Sequence, residues 1–143
     1  MVVSGGSSRE SGNTVERLDL TKDVWVELPK MVKERNRHAM CSAKDTIFVF
    51  CGIVPGVPQP LSCNSIERLD TRDLSAGWQI VEIAFFLSPR RGLGIAPLNE
   101  REIVILGGLD ETGRPLKDIY VFNVEEMSLS QVNSSASAFD EGS

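Results

Sequence analysis

The chain has 143 residues, 41% hydrophobic and 24% charged, the size of one domain that buries its own core without a disulfide or metal. Its net charge of −5 argues against DNA or an anionic membrane as the main partner, and no apolar run is long enough to span a bilayer. Cys41, Cys51 and Cys63 form no Cys-x-x-Cys pair, and the N-terminus has no basic segment leading into an apolar one, so reduced thiols and a cytoplasmic location are expected.

In chain order, Val2-Val3-Ser4 is a short strand that ends at Gly5-Gly6. Strands follow over 14–20 and 24–28, the second placing Val24, Val26 and Leu28 on one face and Trp25 and Glu27 on the other. Residues 36–42, 46–51, 65–70 and 78–83 form a second group of strands, and 92–97, 102–107, 118–124 and 127–132 a third. The runs Ile47-Phe48-Val49-Phe50 and Ile103-Val104-Ile105-Leu106 are short, β-branched or aromatic and closely followed by glycine, which favours buried strands over helix. Turn residues intervene at Thr21-Lys22-Asp23, Lys44-Asp45, Asn99-Glu100 and Glu111-Thr112-Gly113. Residues 133–143 are Ser-rich and acidic, with little to fold them alone.

The groups repeat. Val15-Glu16-Arg17-Leu18-Asp19 returns as Ile66-Glu67-Arg68-Leu69-Asp70 after 51 residues and as Ile119-Tyr120-Val121-Phe122-Asn123 after 53 more. Ahead of the copies stand Gly5-Gly6, Cys51-Gly52 and Gly107-Gly108. After the first two come Trp25 and Trp78, with Leu129 near that place in the third. Arg35 precedes Gly52 by 17 residues, as Arg91 precedes Gly108.

With these landmarks the chain resembles the kelch repeat family over residues 2–132. The resemblance implies an all-β fold of kelch-type propeller blades, about 2.75 four-stranded antiparallel sheets in an incomplete ring. Blade one would span 1–35 without its inner strand, blade two 36–90 and blade three 91–132. Such a chain needs the remaining blades of a longer protein or head-to-tail association with other copies. In the second case Ser134 to Phe139 could supply the inner strand of a neighbour's first blade. Gly5, Gly6, Gly52, Gly107 and Gly108 are expected to permit close backbone approach, Trp25 and Trp78 to pack between blades, and Arg35 and Arg91 to make structural hydrogen bonds.

No catalytic, cofactor or metal site is expected. His38 is the single histidine and reads as a polar residue common at that repeat position; Cys41 and Cys51 read as buried, inert thiols. Binding is the better expectation. One propeller face would collect Arg9, Lys30, Lys33, Arg35, Arg90, Arg91, Arg114 and Lys117 against Glu10, Glu34, Asp110 and Glu111, a field that steers an acidic protein or peptide. The same face carries Phe85-Phe86 and an apolar loop with Pro55, Pro58 and Pro60, whose restricted backbone lowers the entropy cost of binding. The chain therefore reads as a non-enzymatic interaction scaffold or adaptor, contacting partners through Arg9, Lys33, Phe85, Phe86, Arg90, Arg114 and that loop. The alternatives are a purely structural part of a larger propeller, or part of a propeller enzyme whose site lies in other blades.

Overall fold

A computed structural model describes residues 1–6, 12–84 and 87–132. They form three antiparallel sheets. The first has β1 (Val2–Ser4), β2 (Val15–Asp19) and β3 (Val24–Leu28) in that order. The second places β4 (Ala39–Ala43), β5 (Thr46–Phe50), β8 (Ile66–Asp70) and β9 (Gln79–Ile80) side by side. A separate hairpin, β6 (Ile53–Val54) with β7 (Leu61–Ser62), projects between β5 and β8. The third runs β10 (Gly94–Pro97), β11 (Glu102–Leu106), β12 (Ile119–Asn123) and β13 (Ser128–Gln131). A single 3-10 turn, Leu74–Ala76, joins β8 to β9.

The fold is all-β, in sheets with the strand order of propeller blades, and the ring is open. Every strand expected within residues 2–132 is present; the β6–β7 hairpin lies in a segment read as an extended loop.

Alternation along the strands decides which side chains meet. In β5, Ile47 and Val49 point to one side and Phe48 and Phe50 to the other. The first pair joins Val15, Leu28, Met31, Leu69 and Trp78 in a core between the first and second sheets. The second pair joins Ile66, Ile103, Ile105, Tyr120, Phe122 and Leu129 in a core between the second and third. Phe122 meets both rings edge-on, at 5.3 Å from Phe48 and 5.5 Å from Phe50. The second sheet is thus a wall between two cores, as expected when single sheets cannot bury both faces alone.

Trp78 follows the expectation. It is 6% exposed, and its indole N–H donates to the Pro29 carbonyl of the preceding unit at 2.8 Å. Leu129 stands opposite Phe122 as Trp78's position stands opposite Leu69, so it fills the third unit's equivalent place. Trp25 departs from the expectation. It pairs with Leu18 on β2 but is 49% exposed, because the face that carries it meets no sheet.

Candidate functional site

The connections that lead from β5 to β8, from β11 to β12 and into each inner strand gather at one end of the sheets. Glycines and arginines set their geometry. Gly5, Cys51 and Gly107 occupy one repeat position and all have φ between 51° and 75°. Gly6 and Gly52 follow, and each donates its N–H across to the next unit: Gly6 to the Arg35 carbonyl at 3.3 Å, Gly52 to the Arg90 carbonyl at 2.9 Å. A Cβ on Gly52 would lie 2.6 Å from the Asn36 carbonyl oxygen, and one on Gly108 2.8 Å from that of Arg91. Gly107 makes its close approach within its own connection, to the Leu116 carbonyl. The glycine pairs therefore let the backbones close up at the sheet ends.

Two arginines then enter the interior. Arg35 is buried and donates to the Cys51 carbonyl, to Ser65 and to the Glu67 carboxylate at 2.5 Å. Glu67, also buried, accepts the backbone N–H groups of Val32 at 2.6 Å and Lys33 at 3.1 Å. One carboxylate thus satisfies both a cation and two loop donors. In the third unit the equivalent cation is Arg90. It donates to the Gly107 carbonyl and, in bidentate fashion, to Asp118 at 2.6 and 2.9 Å. Its guanidinium also lies 5.4 Å over the ring of Tyr120, which stands at the repeat position of Glu67. Hydrogen bonding from Arg90 holds the Asp118 carboxyl below its usual pKa.

This corrects two assignments. Arg90 is fully buried and leaves the set of exposed contact residues. Arg91 is not the counterpart of Arg35; it bridges to Leu109 as Asn36 bridges to Ile53, and donates to Ser62 Oγ at 3.2 Å. The reason is one added residue. Ala39 pairs with Phe50, 11 positions on, whereas Gly94 pairs with Leu106, 12 positions on, so the turn between β10 and β11 is longer than that between β4 and β5. The 17-residue spacing matched the wrong arginine.

The charge on this face shrinks accordingly. Arg35 and Arg90 are buried and Arg91 is partly buried. Lys30, Lys33, Arg114 and Lys117 remain exposed, against exposed Glu34 and Glu111 and a half-buried Asp110. Arg9, Phe85 and Phe86 lie outside the described residues, as do residues 133–143 with the proposed Ser134–Phe139 strand.

The most prominent feature left is the β6–β7 hairpin. Its base is fixed on three sides. Asn36 and Ile53 exchange backbone hydrogen bonds at 3.0 and 2.7 Å, Cys63 N–H donates to the Gly52 carbonyl, and Ser62 N–H donates to Glu111 Oε1 of the third unit. Its tip is apolar and in solvent: Val57 is 96% exposed, with Leu61, Pro55, Pro58 and Pro60 exposed around it. The strand pairing was missed because three prolines obscure the alternation of so short a hairpin. Its signal was the apolar pair at each end, Ile53-Val54 and Leu61 with Ser62.

Chemistry finds little foothold here. His38 Nε2 and Ser4 Oγ share a hydrogen bond at 2.8 Å, and burial together with Arg35 lowers the His38 pKa to about 4. Burial pushes the Cys51 thiol up to about 12 and raises Cys41 as well, so neither forms a ready thiolate. Among the described residues no group of three His, Cys, Asp or Glu side chains could hold a metal ion, and no helix is long and apolar enough to cross a membrane.

A family model described as the kelch motif matches residues 1–32. The first 32 residues are thus similar to one kelch motif. It is also similar to a curated protein described as negative regulator of sporulation PMD1 from Saccharomyces cerevisiae, 25% identical over 116 residues. That match covers 75% of this chain and only 6% of the relative's length. Kelch repeats generally mediate protein–protein interaction and are typically non-enzymatic.

Proposed function

We propose that this chain is a non-enzymatic scaffold that engages a protein or peptide through the β6–β7 hairpin. The observation that carries the reading is an apolar tip standing in solvent on a rigid base. A mobile loop would lose conformational freedom on binding, whereas prolines and a clamped base remove most of that cost in advance. The partner surface that fits is a shallow apolar groove able to receive Val57 and Leu61. Acidic side chains at its rim would meet Lys33 and Arg114, and Arg9, Phe85 and Phe86 extend the same face in the sequence reading.

The test is a partner screen by affinity capture with the tip as the variable. Val57→Asp should remove a partner that the unaltered chain retains, while leaving the free energy of unfolding in urea within about 0.5 kcal/mol, since an exposed site away from the core tolerates substitution. Leu74→Ser, on the opposite end of the second sheet, serves as the control. A partner held equally by all three proteins would refute the hairpin as the contact.

A further inference from the structure

Cys51 and Cys63 flank the β6–β7 hairpin, one on each side of its neck. Backbone hydrogen bonds fix what they correspond to in the other units. Cys51 N–H donates to the Ser65 carbonyl as Gly5 does to Thr14 and Gly107 to Asp118. Cys63 N–H donates to the Gly52 carbonyl as Leu116 does to Gly108. The Cys63 carbonyl accepts from Arg90 N–H as the Gly12 carbonyl accepts from Arg35. Where the second unit carries two thiols, the first therefore carries Gly5 with Gly12 and the third Gly107 with Leu116.

Cys51 has φ 60°, in the left-handed region that suits the glycines at its equivalents and that an L side chain rarely adopts. That conformation aims the side chain. At Gly107 an added Cβ would lie 2.7 Å from the Leu116 carbonyl oxygen. Cys51 carries a Cβ at that repeat position, directed at the backbone of Cys63. Arg35 ties the pair together: its Nη1 donates to the Cys51 carbonyl at 2.8 Å and lies 3.9 Å from Cys63 Sγ. Cys63 Sγ is also 3.5 Å from Ser65 Oγ, on the residue whose carbonyl receives Cys51 N–H. The thiols are electrostatic neighbours too, since after burial the Cys63 thiol is the next influence that raises the Cys51 pKa. A disulfide needs Cβ atoms about 4 Å apart, which a side chain directed at its partner's own backbone brings within reach.

We propose that Cys51 and Cys63 are joined by hydrogen peroxide into a disulfide that staples the neck of the hairpin. Cys63 reacts first, because it keeps 8% exposure while Cys51 has none. Its sulfur attacks the peroxide: the S–O bond forms, the O–O bond breaks, and hydroxide leaves with the thiol proton as water. The Cys51 sulfur then attacks that of Cys63: the S–S bond forms, the S–O bond breaks, and hydroxide leaves with the Cys51 proton as a second water. Two thiols are oxidised to one disulfide and one peroxide is reduced to two waters. The bond closes residues 52–62 into a covalent loop, which restricts the opened forms of the hairpin. Cys41 faces the Ser42 carbonyl on β4, outside the neck. The bond forms or fails whether or not the hairpin engages a partner, so its test is separate from capture with Val57→Asp.

Intact mass and peptide mapping test it. The reduced chain is treated with hydrogen peroxide under native conditions, then alkylated with iodoacetamide in urea. The expected product is a single chain that has lost two hydrogen atoms, takes up one alkyl group at Cys41, and yields a peptide linking Cys51 to Cys63. Cys51→Gly restores the residue of the other units and should fold; it leaves Cys63 as a sulfenic acid that dimedone captures. Cys63→Ser should lose no hydrogen atoms and take no dimedone at Cys51. Circular dichroism confirms that each variant is folded, and Cys51→Ala or Cys63→Leu replaces either one that is not. Three free thiols after peroxide, a link made through Cys41 or between chains, or a Cys51→Gly chain without a dimedone adduct would overturn the proposal. So would an adduct at Cys51 in Cys63→Ser.

Discussion

Replacing Glu67 with Ala should be among the most damaging single changes outside the aromatic core. The carboxylate is fully buried and accepts three hydrogen bonds, from Arg35 and from the N–H groups of Val32 and Lys33. Its removal leaves a buried guanidinium without its counter-charge and two loop donors without their acceptor. Breaking such a pair from one side costs about 3–5 kcal/mol, against a total stability of about 5–15 kcal/mol for a domain. Urea unfolding at fixed protein concentration reads the loss. With a slope of about 1.5 kcal/mol per M, the midpoint should fall by about 2–3 M. Glu67→Gln keeps the shape and part of the acceptor capacity but not the charge, and should fall between the two proteins. Arg35→Met combined with Glu67→Leu removes both charges and should recover most of the loss, since an apolar pair of similar volume replaces a buried ion pair at little cost. Hydrogen exchange at Val32 and Lys33 should accelerate in Glu67→Ala before the rest of the chain. A loss below about 1 kcal/mol, or a double variant no better than Glu67→Ala, would refute the claim that this carboxylate organises the connection.

Two further outcomes follow from the same region. Gly52→Ala should cost more than about 2 kcal/mol in the same assay, because its φ of 93° disfavours a side chain and the new Cβ would meet the Asn36 carbonyl oxygen at 2.6 Å. Acid should weaken the protein through His38. The folded state keeps the ring neutral down to about pH 4, while the unfolded ring protonates near 6.5, so the unfolded state binds more protons in between. Stability should therefore fall as the pH drops through that window, and His38→Gln should flatten the profile there. An unchanged slope between pH 6.5 and 4 in the variant would assign the loss to other groups.

The repeat made most of the fold legible. Val15-Glu16-Arg17-Leu18-Asp19 and its two copies marked the strand next to the outermost one in every sheet, and the glycines and tryptophans set the order around it. What escaped was whatever depends on a neighbour or on one residue of register. Glu16 and Glu67 are the same residue at the same repeat position, yet one is exposed and the other buried against Arg35, because only the second sheet has another stacked on that side. Trp25 and Trp78 differ for the same reason. Arg90 and Arg91 are adjacent, and an added residue in a distant turn decides which of them points inward. The hairpin beyond Gly52 is longer than the single Leu109–Pro115 bridge at the same place in the third unit, so repetition offered little guide to its strands.

Strand β5 divides its side chains between two cores, and this gives the chain a direction of failure. Ile47 and Val49 hold the first sheet, while Phe48 and Phe50 hold the third. Damage to Val49 should loosen the N-terminal third and leave the aromatic cluster standing, and damage to Phe50 should do the reverse. Proteolysis of partly opened molecules would then yield two different two-sheet remnants, depending on which side of one five-residue strand had been altered.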